Sequence, residues 1–171
     1  MGRRQPEGPP ADPVVQRVRL RYAKRGRLRF TSHRDFARAF ERALRRAEVP
    51  MGYSQGFTPH PKISYLGAAP TGVASEAEYV EIGLATRVEV EQLRAMIDAV
   101  LPDGLDIVEA VEATTPAFAE RMQASQWRIE LPGVSPDTAA AALEQFLATS
   151  ECLVERLTKD GRRQIDARAA V

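Results

Sequence analysis

The sequence contains a single cysteine, Cys152, and only two histidines, His33 and His60. One thiol excludes an internal disulfide, a cluster held by three nearby cysteines and a four-thiolate zinc site within this chain. It also suits a reducing cytoplasm. We expect Cys152 to be an inert core thiol, because it begins an apolar, strand-like run. Two histidines without a set of carboxylates do not predict a metal site, and we expect no cofactor in this chain.

Long apolar runs are also missing. No stretch approaches the roughly 20 residues that cross a bilayer, so we expect no membrane partner. The first residues lack the apolar segment of a secretory signal, which favours a cytoplasmic location. Residues 1–13 are rich in proline, glycine and charge, and this composition predicts a disordered N-terminal arm.

The charges that are present are strongly segregated. The net charge is only +1, but residues 17–46 contain twelve arginines and lysines against Asp35 and Glu41. Residues 76–112 reverse this balance, with ten acidic residues against Arg87 and Arg94. This segregation of charge does not indicate a fold, but it indicates the kind of partner, because a basic surface attracts polyanions.

Periodicity predicts six elements in the first part of the chain. Residues 14–22 alternate apolar side chains with Arg17, Arg19 and Arg21, as a half-buried strand does. After a turn at 24–26, residues 27–30 are expected to continue that alternation. Ser32 then caps a helix that reaches about Ala47, with apolar and arginine stripes on opposite sides. Strands follow at 62–66, 78–85 and 105–113, with a second helix at 88–100.

The second part of the chain predicts fewer elements. Residues 126–131 alternate like a strand. Ser135 caps a helix over 136–148, with Pro136 at its favoured first position. Residues 153–157 and 164–167 form a hairpin around Gly161. A further helix and strand would be needed for a full repeat of the first part, so the second unit is either abbreviated or continues beyond Val171.

The predicted fold class is α+β, with tandem ferredoxin-like units. The order βαββαβ over residues 14–115 is that of the split βαβ arrangement, and a partial βαββ unit follows over 120–171. Each unit would form an antiparallel sheet with its helices on one face. The first and third strands would lie together at the centre of the first sheet, which places the arginine row beside Tyr79 and Glu81.

Four ordered motifs lie between residues 28 and 82. They are Ser32-His33-Arg34-Asp35, Arg42-Ala43-Leu44-Arg45-Arg46-Ala47, Gly56-Phe57-Thr58-Pro59-His60-Pro61-Lys62 and Ser75-Glu76-Ala77-Glu78-Tyr79. In this combination the stretch resembles the family known as radical SAM-linked proteins. The resemblance extends over most of the chain after the N-terminal arm and is less distinctive from residue 120 onward.

The resemblance implies a domain that is found fused to radical SAM enzymes with a cobalamin-binding region. The resemblance also implies that in other bacteria the domain occurs as a stand-alone protein, sometimes encoded near a ribonuclease of the E/G type. This chain has no radical SAM segment and no cysteine triad, so such chemistry would belong to a partner. A weaker likeness, at the level of fold only, is to tandem ferredoxin-like RNA endonucleases that process CRISPR repeats.

The basic residues form the predicted phosphate-binding surface, because the planar guanidinium group suits phosphate. The candidates are Arg17, Arg19, Arg21, Arg27, Arg29, Arg34, Arg38, Arg42, Arg45 and Lys62. The alternative is a solvated face that pairs with the acidic segment, for example Arg19 with Glu81 across strands. Stacking aromatics are missing from the basic segment, which favours contact with shape and backbone over base readout.

His33 and His60 are the candidate catalytic residues, since a histidine can act as a general base near neutral pH. In the alternative interpretation His33 is a helix N-terminal residue and His60 bonds within its loop. That loop, Gly56 to Lys62, is stiffened by Pro59 and Pro61. It would either clamp a ligand with His60, Lys62 and Ser54 or cross a sheet edge.

We therefore predict an RNA-binding accessory module. It would present RNA, for example tRNA, to a separate radical SAM or ribonuclease partner of the E/G type. One alternative is a metal-independent endoribonuclease that uses His33 or His60. The other is a protein–protein adaptor that binds no nucleic acid.

Overall fold

The computed structural model describes residues 13–171 and divides the chain into two units, between Gln123 and Ala124. The predicted N-terminal arm lies outside the described residues, apart from Pro13. Both units combine helices with antiparallel strands, so the predicted α+β class is confirmed. Within the described part of the chain, no helix has the length and apolarity required to cross a membrane.

The first unit contains a four-stranded sheet with two helices. All neighbouring strands are antiparallel, in the order β2-β3-β1-β4. The elements are β1 (Gln16–Lys24), α1 (His33–Arg46), β2 (Ile63–Leu66), β3 (Ser75–Leu84), α2 (Val90–Asp98) and β4 (Leu105–Glu112). The predicted central pair of the first and third strands is confirmed.

The register of that central pair also agrees with the prediction. Arg19 lies opposite Glu81, and Arg21 lies opposite Tyr79. Because side chains alternate along a strand, Val18, Leu20 and Tyr22 point to the other face. There they join one core with side chains of both helices, among them Phe36, Phe40, Leu93 and Ile97. This core orients α1, since burial of its apolar stripe turns its arginine stripe to solvent.

Helix α1 begins as predicted. The Ser32 hydroxyl accepts a hydrogen bond of 3.2 Å from the Asp35 backbone N–H and donates one of 2.6 Å to the Asp35 carboxylate. The helix ends at Arg46, just before Glu48 adopts a positive φ of 51°. The cap fixes where the helix begins, and the spacing of its arginines by three and four residues places them along one side.

The predicted continuation of the strand over residues 27–30 is wrong. Gly26 has a φ of +53°, and Gly26–Phe30 is a 3-10 helix. Its turns are closed by bonds from the Leu28 N–H to the Arg25 carbonyl and from the Thr31 N–H to the Leu28 carbonyl. Leu28 packs against the core. An inward leucine flanked by exposed residues fits a helical turn as well as a strand, so alternation over four residues cannot separate them.

The second unit contains α3 (Pro136–Ala148), β5 (Leu153–Thr158) and β6 (Gly161–Asp166). The predicted Ser135 cap and the hairpin are confirmed. The strand predicted at 126–131 is wrong, because these residues pair with nothing, and Trp127, Ile129 and Leu131 are each more than half exposed. None of the described side chains from 124 to 171 is buried, and Cys152 is only half-buried, so it is not the predicted core thiol.

Candidate nucleic-acid interface

Arg19 is almost completely enclosed on the sheet face opposite the core, where its side chain is 8% exposed. Its Nε donates to Glu81 at 2.9 Å, and its terminal nitrogens donate to the hydroxyl and the carbonyl of Thr115. The guanidinium carbon lies 4.5 Å from the centre of the Phe118 ring. Every side of this group is occupied, and the predicted pairing with Glu81 is confirmed.

The two neighbouring arginines of β1 are also paired. Arg17 lies 3.4 Å from Glu81 but remains 54% exposed. Arg21 bonds the Glu109 carboxylate and the Glu76 carbonyl, both at 3.1 Å. The acidic segment therefore supplies the counter-charges of the arginine row on the sheet.

Helix α1 presents a different arrangement, which we call the α1 stripe: Arg34, Arg38, Arg42 and Arg45. All four side chains are exposed. Spacings of three and four residues place them on one side of the helix, opposite Phe36 and Leu44. None has an acidic partner within 4.0 Å among residues 13–171. The α1 stripe is thus a row of positive charge that the described part of the protein does not neutralise.

The acidic residues of α1 do not offset the stripe. The Asp35 carboxylate accepts a hydrogen bond from the Ser32 hydroxyl at the start of the helix. Glu41 is half-buried, and its carboxylate contributes to the raised pKa of Tyr65. Burial, followed by the Glu41 carboxylate, raises the pKa of Tyr65 above its ordinary value, so this phenol stays protonated.

Three further predicted phosphate ligands lie outside α1. Arg27 and Arg29 are exposed on the 3-10 helix, and the Arg29 guanidinium lies 4.8 Å from the ring centre of Phe30. Lys62 is exposed directly before β2. Over the described range, none of the three forms an ion pair.

The two histidines are exposed and occupy the structural positions that the sequence allowed. His33 is the first residue of α1, and its ring meets Tyr65 edge to face at 5.2 Å. The backbone N–H of His60 donates to the Ser54 hydroxyl at 2.9 Å. Within residues 13–171, neither imidazole ring makes a hydrogen bond. The two rings do not contact each other.

Sequence reasoning missed Phe57. Its side chain is 90% exposed at the tip of the loop between Tyr53 and Pro61, which form an isolated antiparallel bridge. The signal was present in the sequence, since a lone aromatic between Gly56 and Pro59 has no periodic apolar neighbour that would bury it.

Comparison with known families places the chain plainly. Residues 17–171 match the family described as uncharacterized protein conserved in bacteria, DUF2344, and the protein belongs to this family. No curated protein matches the sequence. Across residues 13–171, no three histidine, cysteine, aspartate or glutamate side chains are grouped so that they could hold a metal ion.

Proposed function

We propose that this protein is an RNA-binding accessory module that presents RNA to a separate catalytic partner. The observation that carries the proposal is the α1 stripe, whose four exposed guanidinium groups have no acidic partner among the described residues. Each is free to replace the counterions that surround a phosphate backbone, and counterion release supplies much of the affinity for nucleic acids.

The proposal divides the predicted phosphate ligands by their surroundings. Arg34, Arg38, Arg42 and Arg45 would make the principal contacts. Arg27, Arg29 and Lys62 would extend them, because they are exposed and form no ion pair within residues 13–171. Arg17 and Arg21 would add less, since a phosphate must compete with Glu81 and Glu109. Arg19 would act indirectly, by keeping Glu81 in place.

We further propose that the first unit is ferredoxin-like. Its element order βαββαβ and its sheet order β2-β3-β1-β4 support this assignment. A radical SAM enzyme or a ribonuclease of the E/G type is the proposed partner, on the resemblance of residues 28–82 alone. The module would bind the RNA, and the partner would perform the chemistry.

The test is a fluorescence-anisotropy titration of labelled tRNA in chelator over a series of salt concentrations. We expect affinity to fall steeply as salt increases. In the variant Arg38→Gln/Arg42→Gln/Arg45→Gln, three phosphate contacts are removed. The slope of log affinity against log salt should then become shallower by about 2 to 3.

A charge-matched control removes three arginines from the second unit. Arg128→Gln/Arg156→Gln/Arg163→Gln changes the net charge equally and should bind more tightly than the α1 variant. Equal losses in both variants would show that net charge, not the α1 stripe, determines binding. Absence of binding by the unaltered protein at low salt would overturn the proposal and favour a protein–protein adaptor. RNA cleavage in chelator that requires His33 would favour an endoribonuclease.

A further inference from the structure

The loop between Gly52 and Lys62 has a closed base. The Gly52 N–H donates to the Gly83 carbonyl, the Lys62 N–H to the Gly52 carbonyl, and the Gly83 N–H to the Lys62 carbonyl, each at 2.8 Å. These bonds tie both ends of the loop to the end of β3. A side chain at Gly52 would approach Val14 to 2.9 Å, so the base is also closely packed.

A second pair of bonds closes the loop nearer its tip. The Ser54 N–H donates to the His60 carbonyl at 2.8 Å, and the His60 N–H returns a bond of 2.9 Å to the Ser54 hydroxyl. Gly56 adopts a φ of +132°, and Pro59 restricts the descending side. The tip residue Phe57 is therefore carried on a short, cross-linked loop.

A single exposed apolar residue is common on protein surfaces and has no significance by itself. Phe57 differs in that its loop is held in place, which lowers the entropy lost when a ligand packs on the ring. Its own stretch of chain carries no negative charge, because no acidic residue occurs in the sequence from Val49 to Ser75. Lys62 and His60 are exposed in the same loop. This combination of an aromatic face and nearby basic groups suits an anionic ligand with a flat apolar part.

We propose that Phe57 is a stacking platform for an unpaired RNA base, with Lys62 at the base of the same loop to meet the backbone phosphate. This inference rests on the proposed function and names its substrate class, an RNA with a single-stranded segment, loop or bulge. Every base has a π face, so stacking needs no sequence-specific hydrogen bonds. A base inside a regular duplex is already stacked on its neighbours and is not available to Phe57.

The experiment compares binding of a labelled oligouridylate and of a fully paired RNA duplex of equal length by the full chain. We expect Phe57→Ala to weaken oligouridylate binding about 10-fold or more, and to leave duplex binding within about twofold of the unaltered protein. Phe57→Trp should retain oligouridylate binding, whereas Phe57→Leu should behave like Phe57→Ala. Because Phe57 is 90% exposed, these changes should leave the fold intact, which thermal unfolding by circular dichroism checks.

The matched control is Trp127→Ala, which removes another exposed aromatic, 62% accessible, from the second unit. It should leave oligouridylate binding unchanged. A direct readout is available in a Trp127→Phe background, where a tryptophan introduced by Phe57→Trp becomes the sole indole. Its fluorescence should be quenched by the oligouridylate and not by the duplex.

The outcomes separate this inference from the proposed function. If the unaltered protein binds RNA but Phe57→Ala does not weaken oligouridylate binding, the platform is refuted and the RNA-binding module stands. If Phe57→Leu binds as well as the unaltered protein, apolar contact suffices and stacking is wrong. If the unaltered protein binds neither RNA at low salt, the proposed function fails, and the platform fails with it.

Discussion

Arg19 and Arg17 show how two residues of one type and one strand face can have different roles. Both approach Glu81, but the Arg19 side chain is 8% exposed and the Arg17 side chain 54%. An ion pair in water contributes little, because solvent screens it. Loss of one member of an enclosed ion pair lowers stability more, because it leaves an uncompensated charge away from water.

We therefore expect Arg19→Met to lower the free energy of unfolding by about 3 kcal/mol. The control Arg17→Met, which removes the exposed partner of the same carboxylate, should lower it by less than about 1 kcal/mol. Urea denaturation of both variants measures the difference. Equal effects would contradict the assignment of Arg19 to a structural role.

The sequence predicted this pair but not the degree of enclosure. Alternation along residues 14–22 and the expected central position of two strands were enough to bring Arg19 to Glu81. The Thr115 and Phe118 contacts were not predictable in the same way, because they come from a short segment after β4 without a periodic pattern, in which Phe118 begins a 3-10 helix. Phe57 was missed for a related reason, since exposure at a loop tip leaves no periodic pattern.

Among the helices, α2 has an unusual N-terminus. Glu89 is its cap, and its carboxylate accepts bonds from the backbone N–H groups of Glu91 at 3.0 Å and Gln92 at 2.6 Å. These backbone bonds lower the pKa of Glu89 below its ordinary value. Bonding to the charged form therefore stabilises the folded state at neutral pH.

The sign of the pH dependence follows from that lowered pKa. The stabilisation is fully present above the ordinary glutamate value of 4.5 and is lost as the pH falls through the lower folded-state value. We expect Glu89→Gln to be less stable than the unaltered protein at pH 7, with a difference that shrinks below pH 4.5. Thermal unfolding across this range measures it.

The control for this prediction is Glu120→Gln, an exposed carboxylate outside any ion pair of the described chain. It should shift the melting temperature little, and equally at all pH values. A constant difference for Glu89→Gln from neutral to acidic pH would show that packing, not charge, explains the effect of the substitution.

Elements with long periodic patterns were predictable, and short ones only in part: β2 and the hairpin agree with the prediction, whereas two short strands do not exist. The stripes of α1, and the serine caps of α1 and α3, predicted both helices nearly to the residue. The failures at 27–30 and 126–131 have one cause, since alternation over four to six residues describes a strand only where a neighbour supplies hydrogen bonds. Sequence periodicity cannot report whether that neighbour is present.

At the scale of the whole molecule, burial is distributed unevenly. The core lies entirely within the first unit, where Leu20, Phe40 and Ile82 are completely buried. The second unit has a two-stranded hairpin and a helix without a buried side chain among its described residues. A two-stranded hairpin without a packed face is marginally stable in water.

Amide hydrogen exchange of the full chain should reveal this contrast. We expect the slowest amides in β1 and β3, which exchange only when the sheet opens, and fast exchange for most amides after Ala124. Slow exchange throughout α3 would contradict this expectation.

The outer strands of the first sheet have a consequence for molecules at high concentration. Sheet edges invite other chains to add strands, which leads to aggregation. β2 offers only four residues, and Pro61, two residues before the strand, has no N–H to donate. β4 carries Asp106, Glu109 and Glu112, and charged side chains on an edge strand disfavour the addition of another strand. Both edge strands of this sheet therefore disfavour the addition of further strands, which would lead to fibrils.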